Sequence, residues 1–311
     1  MNKSGGKILV IRGGAIGDFI LTLPVLTALR IQFPNAHLEV LGYPHIAQLA
    51  LGDGLADAVQ SIEAGALAGF FARQGRLEPR LQDYFSQFAI IISYLYDPDG
   101  IFQENVGRCS RAQFIAGPHR PNNSDQLHAG LVFLRPLERL AIFEADPVPR
   151  LRRSLHVPPS RPMLALHPGS GSEHKNWPET NWGELIQYLL EKTKTSLLLV
   201  GGEAEGNRLQ RLAGTTPSRR ISVAQSLPLK ELAQRLTDCT GFVGHDSGIS
   251  HLASALGLPT LVLWGDSVET VWRPQGEWVK VICSGSGLGN LSARLVAKEL
   301  NHWIFQDRER L

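Results

Sequence analysis

Gly241-Phe-Val-Gly-His-Asp-Ser-Gly-Ile-Ser-His251, running on to Gly257-Leu-Pro-Thr-Leu-Val-Leu-Trp-Gly265, reads as an apolar strand, a loop, a helix of small residues and a second apolar strand. That strand–helix–strand order belongs to a parallel sheet covered by helices on its faces. The loop carries an acid, a hydroxyl and a glycine in succession, Asp246, Ser247 and Gly248, with His251 about a turn later. A helix start offers unpaired backbone N–H groups and the positive end of the helix dipole, which suits an anion, phosphate above all.

Outward from this unit the same logic repeats. Met163-Leu-Ala-Leu-His167 reads as a strand, followed by the polar loop Pro168-Gly-Ser-Gly-Ser-Glu-His-Lys-Asn176 and a helix from Trp177-Pro178 to about Lys192. Ser196-Leu-Leu-Leu-Val200 is a strand ending in Gly201-Gly202, and helices are expected at about Glu205–Leu212 and Leu229–Leu236. Helical spacing from Leu291 to about Phe305 suggests a last helix that packs back on the body, on an N-terminal domain if it reaches one.

The first half opens with the strand Lys7-Ile-Leu-Val-Ile-Arg12, the glycine-rich turn Gly13-Gly-Ala-Ile-Gly17, and Asp18. Apolar residues at Ile20, Leu23, Leu26 and Leu29 follow at helical spacing, with Pro24 suited to the first turn of a helix beginning near Leu23. His37–Leu41 and Ala89–Ser93 are further strands. The fold class expected is α/β, with two doubly wound Rossmann-like domains at residues 1–150 and 151–311. Prolines 147, 149, 158, 159 and 162 mark residues 145–162 as the linker. Arg150, Arg152, Arg153 and Arg161 on it are either solvated or a basic rim toward an anionic acceptor. Ligands of open α/β sheets bind at the strand carboxyl ends, so a cleft lined by residues 13–18, 167–175, 201–205 and 244–251 is expected.

Composition bounds the function. In 311 residues the formal net charge is +2, which gives no global case for nucleic-acid binding. No apolar run reaches the length of about 18 residues needed to span a membrane, and the N-terminus lacks the pattern of a signal peptide, so a cytoplasmic protein is expected. Cys109, Cys239 and Cys283 are far apart and read as buried small hydrophobes, with neither zinc nor disulfide spacing.

The loops carry the chemistry. Gly13-x-x-x-Gly17-Asp18 is neither a dinucleotide fingerprint nor a P-loop. Asp18 is either a helix N-cap or a carboxylate able to take a proton from an attacking hydroxyl. Lys175, with Ser170 and Ser172 nearby, is either a solvated loop lysine or the cation for a departing diphosphate. Glu205 is a first-turn helix acid or an acceptor for ribose hydroxyls. Asp246 and His251 are candidates for sugar hydroxyls and phosphate respectively, with plain packing the alternative for the histidine.

Taken together, Ile11–Pro24, His167-Pro-Gly-Ser-Gly-Ser172 with Lys175 and Trp177-Pro178, Gly201–Glu205 and Val243–His251 resemble the ADP-heptose:lipopolysaccharide heptosyltransferases, glycosyltransferase family 9. The resemblance implies a GT-B fold and an inverting glycosyl transfer that uses no metal and no cofactor. It implies an acceptor-binding N-terminal domain, a nucleotide-sugar-binding C-terminal domain and Asp18 as general base. Gly13, Gly14 and Gly17 would line the acceptor side. Ser170, Lys175, Glu205 (or Glu203), Asp246, Ser247, Gly248 and His251 would bind the donor, ADP-heptose. The implied acceptor is a lipid-linked or core oligosaccharide, with peripheral contact at the inner face of the inner membrane and no nucleic-acid partner. Where the family often has Gly-Pro-Thr, this chain has Gly265-Asp266-Ser267. The competing readings are another sugar-nucleotide enzyme such as an epimerase, and a non-catalytic nucleotide-sugar-binding module.

Overall fold

The computed structural model describes residues 5–152, 162–284 and 287–306. Internal contacts divide the chain into two units, Met1–Pro149 and Arg150–Leu311. Part of the proline-marked linker, residues 153–161, with Arg153 and Arg161, lies outside the described residues.

In the first unit, β1 (Lys7–Arg12), β2 (His37–Gly42), β3 (Ala58–Ser61), β4 (Ile90–Ser93) and β5 (Gln113–Ala116) form one sheet in the order β3-β2-β1-β4-β5. All its pairings are parallel. Strands in such a sheet are covered on both faces, which is why Ile8–Ile11 and Ile91–Ile92 are continuous apolar runs and fully buried. Prolines 24, 44 and 79 each sit in the first turn of a helix, where a missing N–H costs nothing. Phe70, Phe85 and Phe102 meet edge-on or tilted and close the core beneath Leu9, Ile11 and Ile91.

In the second unit, β6 (Met163–Leu166), β7 (Ser196–Gly201), β8 (Ile221–Gln225), β9 (Gly241–His245), β10 (Thr260–Trp264) and β11 (Val279–Cys283) form a parallel sheet ordered β11-β10-β9-β6-β7-β8. Trp177 and Trp182 pack edge to face, 5.1 Å between centroids, under helix Glu179–Lys192. Helix Ala293–Leu300 packs on that helix within the same unit, burying Val296 and Leu300, and continues as a wider turn over Asn301–Gln306.

Each sheet runs outward from its first strand in one direction and then crosses to the other side. The reversal falls between β1 and β4 in one unit and between β6 and β9 in the other. At such a reversal the loops leaving the two central strands part in opposite directions and leave a crevice at the strand carboxyl ends. Asp18 follows β1, Lys175 follows β6 and Asp246 follows β9.

Of the three cysteines, expected to be buried, Cys283 departs from expectation. Cys239 is buried and Cys109 partly so, whereas Cys283 is exposed at the end of edge strand β11, its Sγ 3.0 Å from Glu269 Oε2. Among the described residues no helix is long and apolar enough to cross a membrane.

Candidate functional site

At the first unit's crevice, the turn after β1 is set by Gly14, whose φ of +97° favours glycine. A Cβ there would lie 2.8 Å from Asp18 Oδ2, so the glycine also makes room for the carboxylate to fold back over the turn. The N-cap of helix Ile16–Ile20 is Ala15, and Asp18 stands third in the helix, which corrects the N-cap reading. Its Oδ2 reaches back to accept the Ala15 N–H at 3.0 Å. The other oxygen, Oδ1, lies 3.3 Å from Arg12 Nη2.

Arg12 is 3% exposed and is the device that holds this corner. Its guanidinium lies over the Phe133 ring at 4.4 Å and donates to the carbonyls of Asp18 and, at 2.9 Å, of His119. Burial pulls the Arg12 pKa below its ordinary value, and the charge of Asp18 opposes that shift. The Asp18 side chain stays 28% exposed. A carboxylate fixed on one side and wet on the other can receive a proton from an incoming hydroxyl.

In the second unit, Lys175 closes a short 3-10 turn, Glu173–Lys175, and its Nζ lies 2.7 Å from Asp246 Oδ2. The Ser267 hydroxyl donates to the same oxygen. The side chains are 33% and 13% exposed, so the ammonium keeps a face to solvent while the carboxylate is largely enclosed. Asp266, by contrast, is exposed, so Ser267 is the residue of that segment that joins the cluster.

Ser247 is the N-cap of helix Gly248–Ala255; its Oγ accepts the Ser250 N–H at 3.4 Å and faces His167 Nδ1 at 3.3 Å. Gly248 opens the helix. His251 is buried in its first turn, only 5% exposed. Ser170 Oγ lies 2.9 Å from the Ser172 carbonyl and 2.8 Å from Asn176 Oδ1, stitching the loop before Lys175.

Glu205 is 8% exposed, and its Oε2 accepts the Gly202 N–H at 2.5 Å. A Cβ on Gly169 would fall 1.9 Å from Glu205 Oε1, so the carboxylate lies directly against the loop after β6. Glu203 is exposed. Of the two acids, Glu205 joins the β6 and β7 loops.

Two residues outside the candidate set organise these loops. The fully buried His245 accepts the Trp177 N–H on Nε2 at 2.9 Å, and its Nδ1 lies 3.1 Å from the Gly169 carbonyl. One nitrogen must accept and the other donate, so the ring is neutral with its proton on Nδ1. Burial pushes its pKa down to about 3, against the upward pull of the Gly169 hydrogen bond. Burial likewise takes His167 down to about 4. Arg208 donates to the Pro168 carbonyl at 3.3 Å and to both Glu173 oxygens at 2.8 Å. Arg208 gave no sequence signal, being one more arginine on an amphipathic helix. His245 stood inside the opening motif, and its place at the end of a strand buried on every residue was the available clue.

Among the described residues no group of three or more His, Cys, Asp or Glu side chains is gathered to hold a metal ion. The arrangement offers one ammonium and a capped helix start for an anion. It offers the carboxylates of Asp246 and Glu205 for hydroxyls, and in the other unit the Asp18 carboxylate for a proton.

A model of glycosyltransferase family 9 (heptosyltransferase) matches residues 143–298. The lipooligosaccharide heptosyltransferase 2 of Haemophilus influenzae is 23% identical over 310 residues, covering 89% of this chain and 88% of that protein. The chain is similar in structure to the glycosyltransferase family 9 protein of Veillonella parvula, with a TM-score of 0.80, 17% identity and 98% and 99% of the two chains covered. It is also similar to the E. coli ADP-heptose lps heptosyltransferase II, with a TM-score of 0.77, 17% identity and 97% and 99% covered.

Proposed function

The chain belongs to glycosyltransferase family 9, with the two Rossmann-like domains of the GT-B fold, and from that premise we propose that it moves heptose from ADP-heptose to a lipopolysaccharide core or related glycan. The first unit takes the acceptor and the second takes the nucleotide sugar. The observation that carries the donor side is the Lys175–Asp246 pair at the β6/β9 reversal. It sets an ammonium with an open face beside a capped helix start, where a diphosphate's charge is matched.

Asp18 accepts the proton of the acceptor hydroxyl as its oxygen attacks the anomeric carbon from the face opposite the diphosphate. The C–O bond to ADP breaks with its electron pair going to the phosphate, and the anomeric configuration inverts. Lys175, the Ser170 loop and the helix start at Ser247–Gly248 meet the charge that grows on the leaving group. Glu205 accepts from the ribose hydroxyls, and Asp246 from the sugar. Gly13, Gly14 and Gly17 keep the backbone beside Asp18 close and unobstructed. His251, in the first turn of the same helix, is placed for the phosphate end of the donor. A glycan acceptor built on the inner membrane places the enzyme on the cytoplasmic side, in peripheral contact with that surface.

The test is a calorimetric panel of ADP-, UDP-, GDP- and dTDP-sugars, followed by transfer to core oligosaccharide with the product's anomeric configuration read by NMR. A preference for ADP-heptose and an inverted product support the reading. Preference for a UDP-sugar, or conversion of the donor with no acceptor present, overturns it.

A further inference from the structure

We infer that Tyr96, braced by His119, is the stacking platform for the acceptor's sugar ring beside Asp18, which deepens and rests on the glycosyl-transfer reading. Tyr96 is 70% exposed on the loop after β4. His119 is on the loop after β5, and the two rings meet edge to face with centroids 4.6 Å apart. Both loops leave the same carboxyl edge of the sheet as the Asp18 turn, facing it across the β1/β4 reversal.

Exposure alone would say little, since single apolar side chains such as Ile31 and Phe143 also stand in solvent. Tyr96 differs in how firmly its surroundings are held. Two residues earlier, Tyr94 donates its backbone N–H to the Ile11 carbonyl at 2.9 Å, so the loop runs on beside the end of β1. The Tyr94 side chain is buried, with its hydroxyl on the Phe133 carbonyl at 2.6 Å. One residue later, Asp97 accepts the N–H groups of Phe102 and Gln103 at 3.1 and 3.0 Å, pinning the loop to the start of the next helix. On the other side, Gly117 donates to the Ser93 carbonyl at 2.8 Å and lies so close to the Tyr94 ring that a Cβ would stand 2.6 Å from it.

The platform and the carboxylate share one buried tether. Arg12 holds Asp18 Oδ1 with Nη2 at 3.3 Å and the His119 carbonyl with Nη1 at 2.9 Å. The line Asp18–Arg12–His119–Tyr96 therefore fixes an exposed aromatic face relative to the group that takes the proton. An aromatic ring with a polar tip suits a pyranose, whose C–H face is apolar and whose rim is hydroxylated. The ligand chemistry is a hydroxylated sugar ring at the acceptor end.

The experiment uses the full chain with Tyr96→Ala and Tyr96→Phe. Tyr96→Ala is expected to raise the KM for core oligosaccharide about tenfold, the upper part of what an aromatic contact is worth. The KM for ADP-heptose and kcat should stay within about twofold, and Tyr96→Phe, which keeps the ring, should track the wild type. An unchanged acceptor KM in Tyr96→Ala, with transfer intact, overturns the platform. Saturation-transfer NMR with lipid-free core oligosaccharide and no donor separates the two readings. Contacts that vanish in Tyr96→Ala support the platform even if wild-type protein transfers nothing, in which case the transferase reading alone falls.

Discussion

His245 Nε2 accepts the backbone N–H of Trp177 at 2.9 Å, across a sequence separation of 68 residues. With Nδ1 against the Gly169 carbonyl, the ring joins three points: the end of β9, the start of the loop after β6 and the residue that begins the tryptophan core. A proton added to Nε2 would break the Trp177 bond and bury a charge.

Stability should therefore fall with pH in a defined window. An unfolded histidine titrates near 6.5, whereas His245 and His167 are held down to about 3 and about 4 by burial. Below about pH 6.5 the unfolded chain binds protons that the native state refuses, so stability present above that pH is lost as pH falls. The slope is at most about 1.4 kcal/mol per pH unit for each ring, His167's share ending near pH 4 and His245's near pH 3. All six tryptophans lie in the second unit, so their fluorescence reports on it. Urea midpoints between pH 7 and 5 should drop in the wild type and drop less steeply in His245→Gln. Equal slopes in the two proteins would contradict the assignment.

Asp18→Asn should separate chemistry from binding. The amide can keep a contact to the Ala15 N–H through its oxygen, so the turn is preserved, but it cannot accept the hydroxyl proton. The expected loss in kcat is about 10²- to 10⁴-fold, with the affinity for ADP unchanged by calorimetry. Transfer at the normal rate would remove Asp18 from the reaction.

Lys175→Met should weaken ADP binding by about 10- to 100-fold, the worth of one charge-assisted contact. Ser267→Ala should cost less, because it loosens Asp246 without removing the ammonium. Binding to the wild type should also weaken with added salt, since Lys175 keeps a face to solvent. Calorimetry at two ionic strengths reads both effects, and an affinity unchanged in Lys175→Met would put the diphosphate elsewhere.

The seven strands legible in the sequence are the inner ones and their near neighbours, because burial on both faces writes continuous runs such as Ile8–Ile11 and Leu197–Val200. The four that carried no clear signal, β3, β5, β8 and β11, are all edge strands. Their residues, as in Ala58-Val-Gln-Ser61 or Val279-Lys-Val-Ile-Cys283, answer to solvent on one side and lose the apolar run. The helix expected from Glu205 begins at Arg208, because Glu205 is spent turning back to the Gly202 N–H in a preceding 3-10 turn. For the site, strand ends located the candidate residues, but partners far apart in the chain could not be read. Lys175 with Asp246 and Arg12 with His119 are pairings that only the sheet order brings about.

Gly169 offers the sharpest steric test. It needs no unusual backbone angle, so alanine is excluded only by what lies beside it, the Glu205 carboxylate 1.9 Å from where a Cβ would stand. Gly169→Ala must push Glu205 off the Gly202 N–H or move the loop that carries Ser170 and Lys175. Either response should cost about 1 to 3 kcal/mol in stability and weaken ADP binding. If the clash is the cause, the cost must depend on Glu205 being present. Glu205→Ala removes the crowding atoms, so in that background Gly169→Ala should be close to neutral for stability. A double-mutant cycle by urea unfolding measures the coupling. Additive losses would mean that Gly169 is required for a reason other than the approach of Glu205.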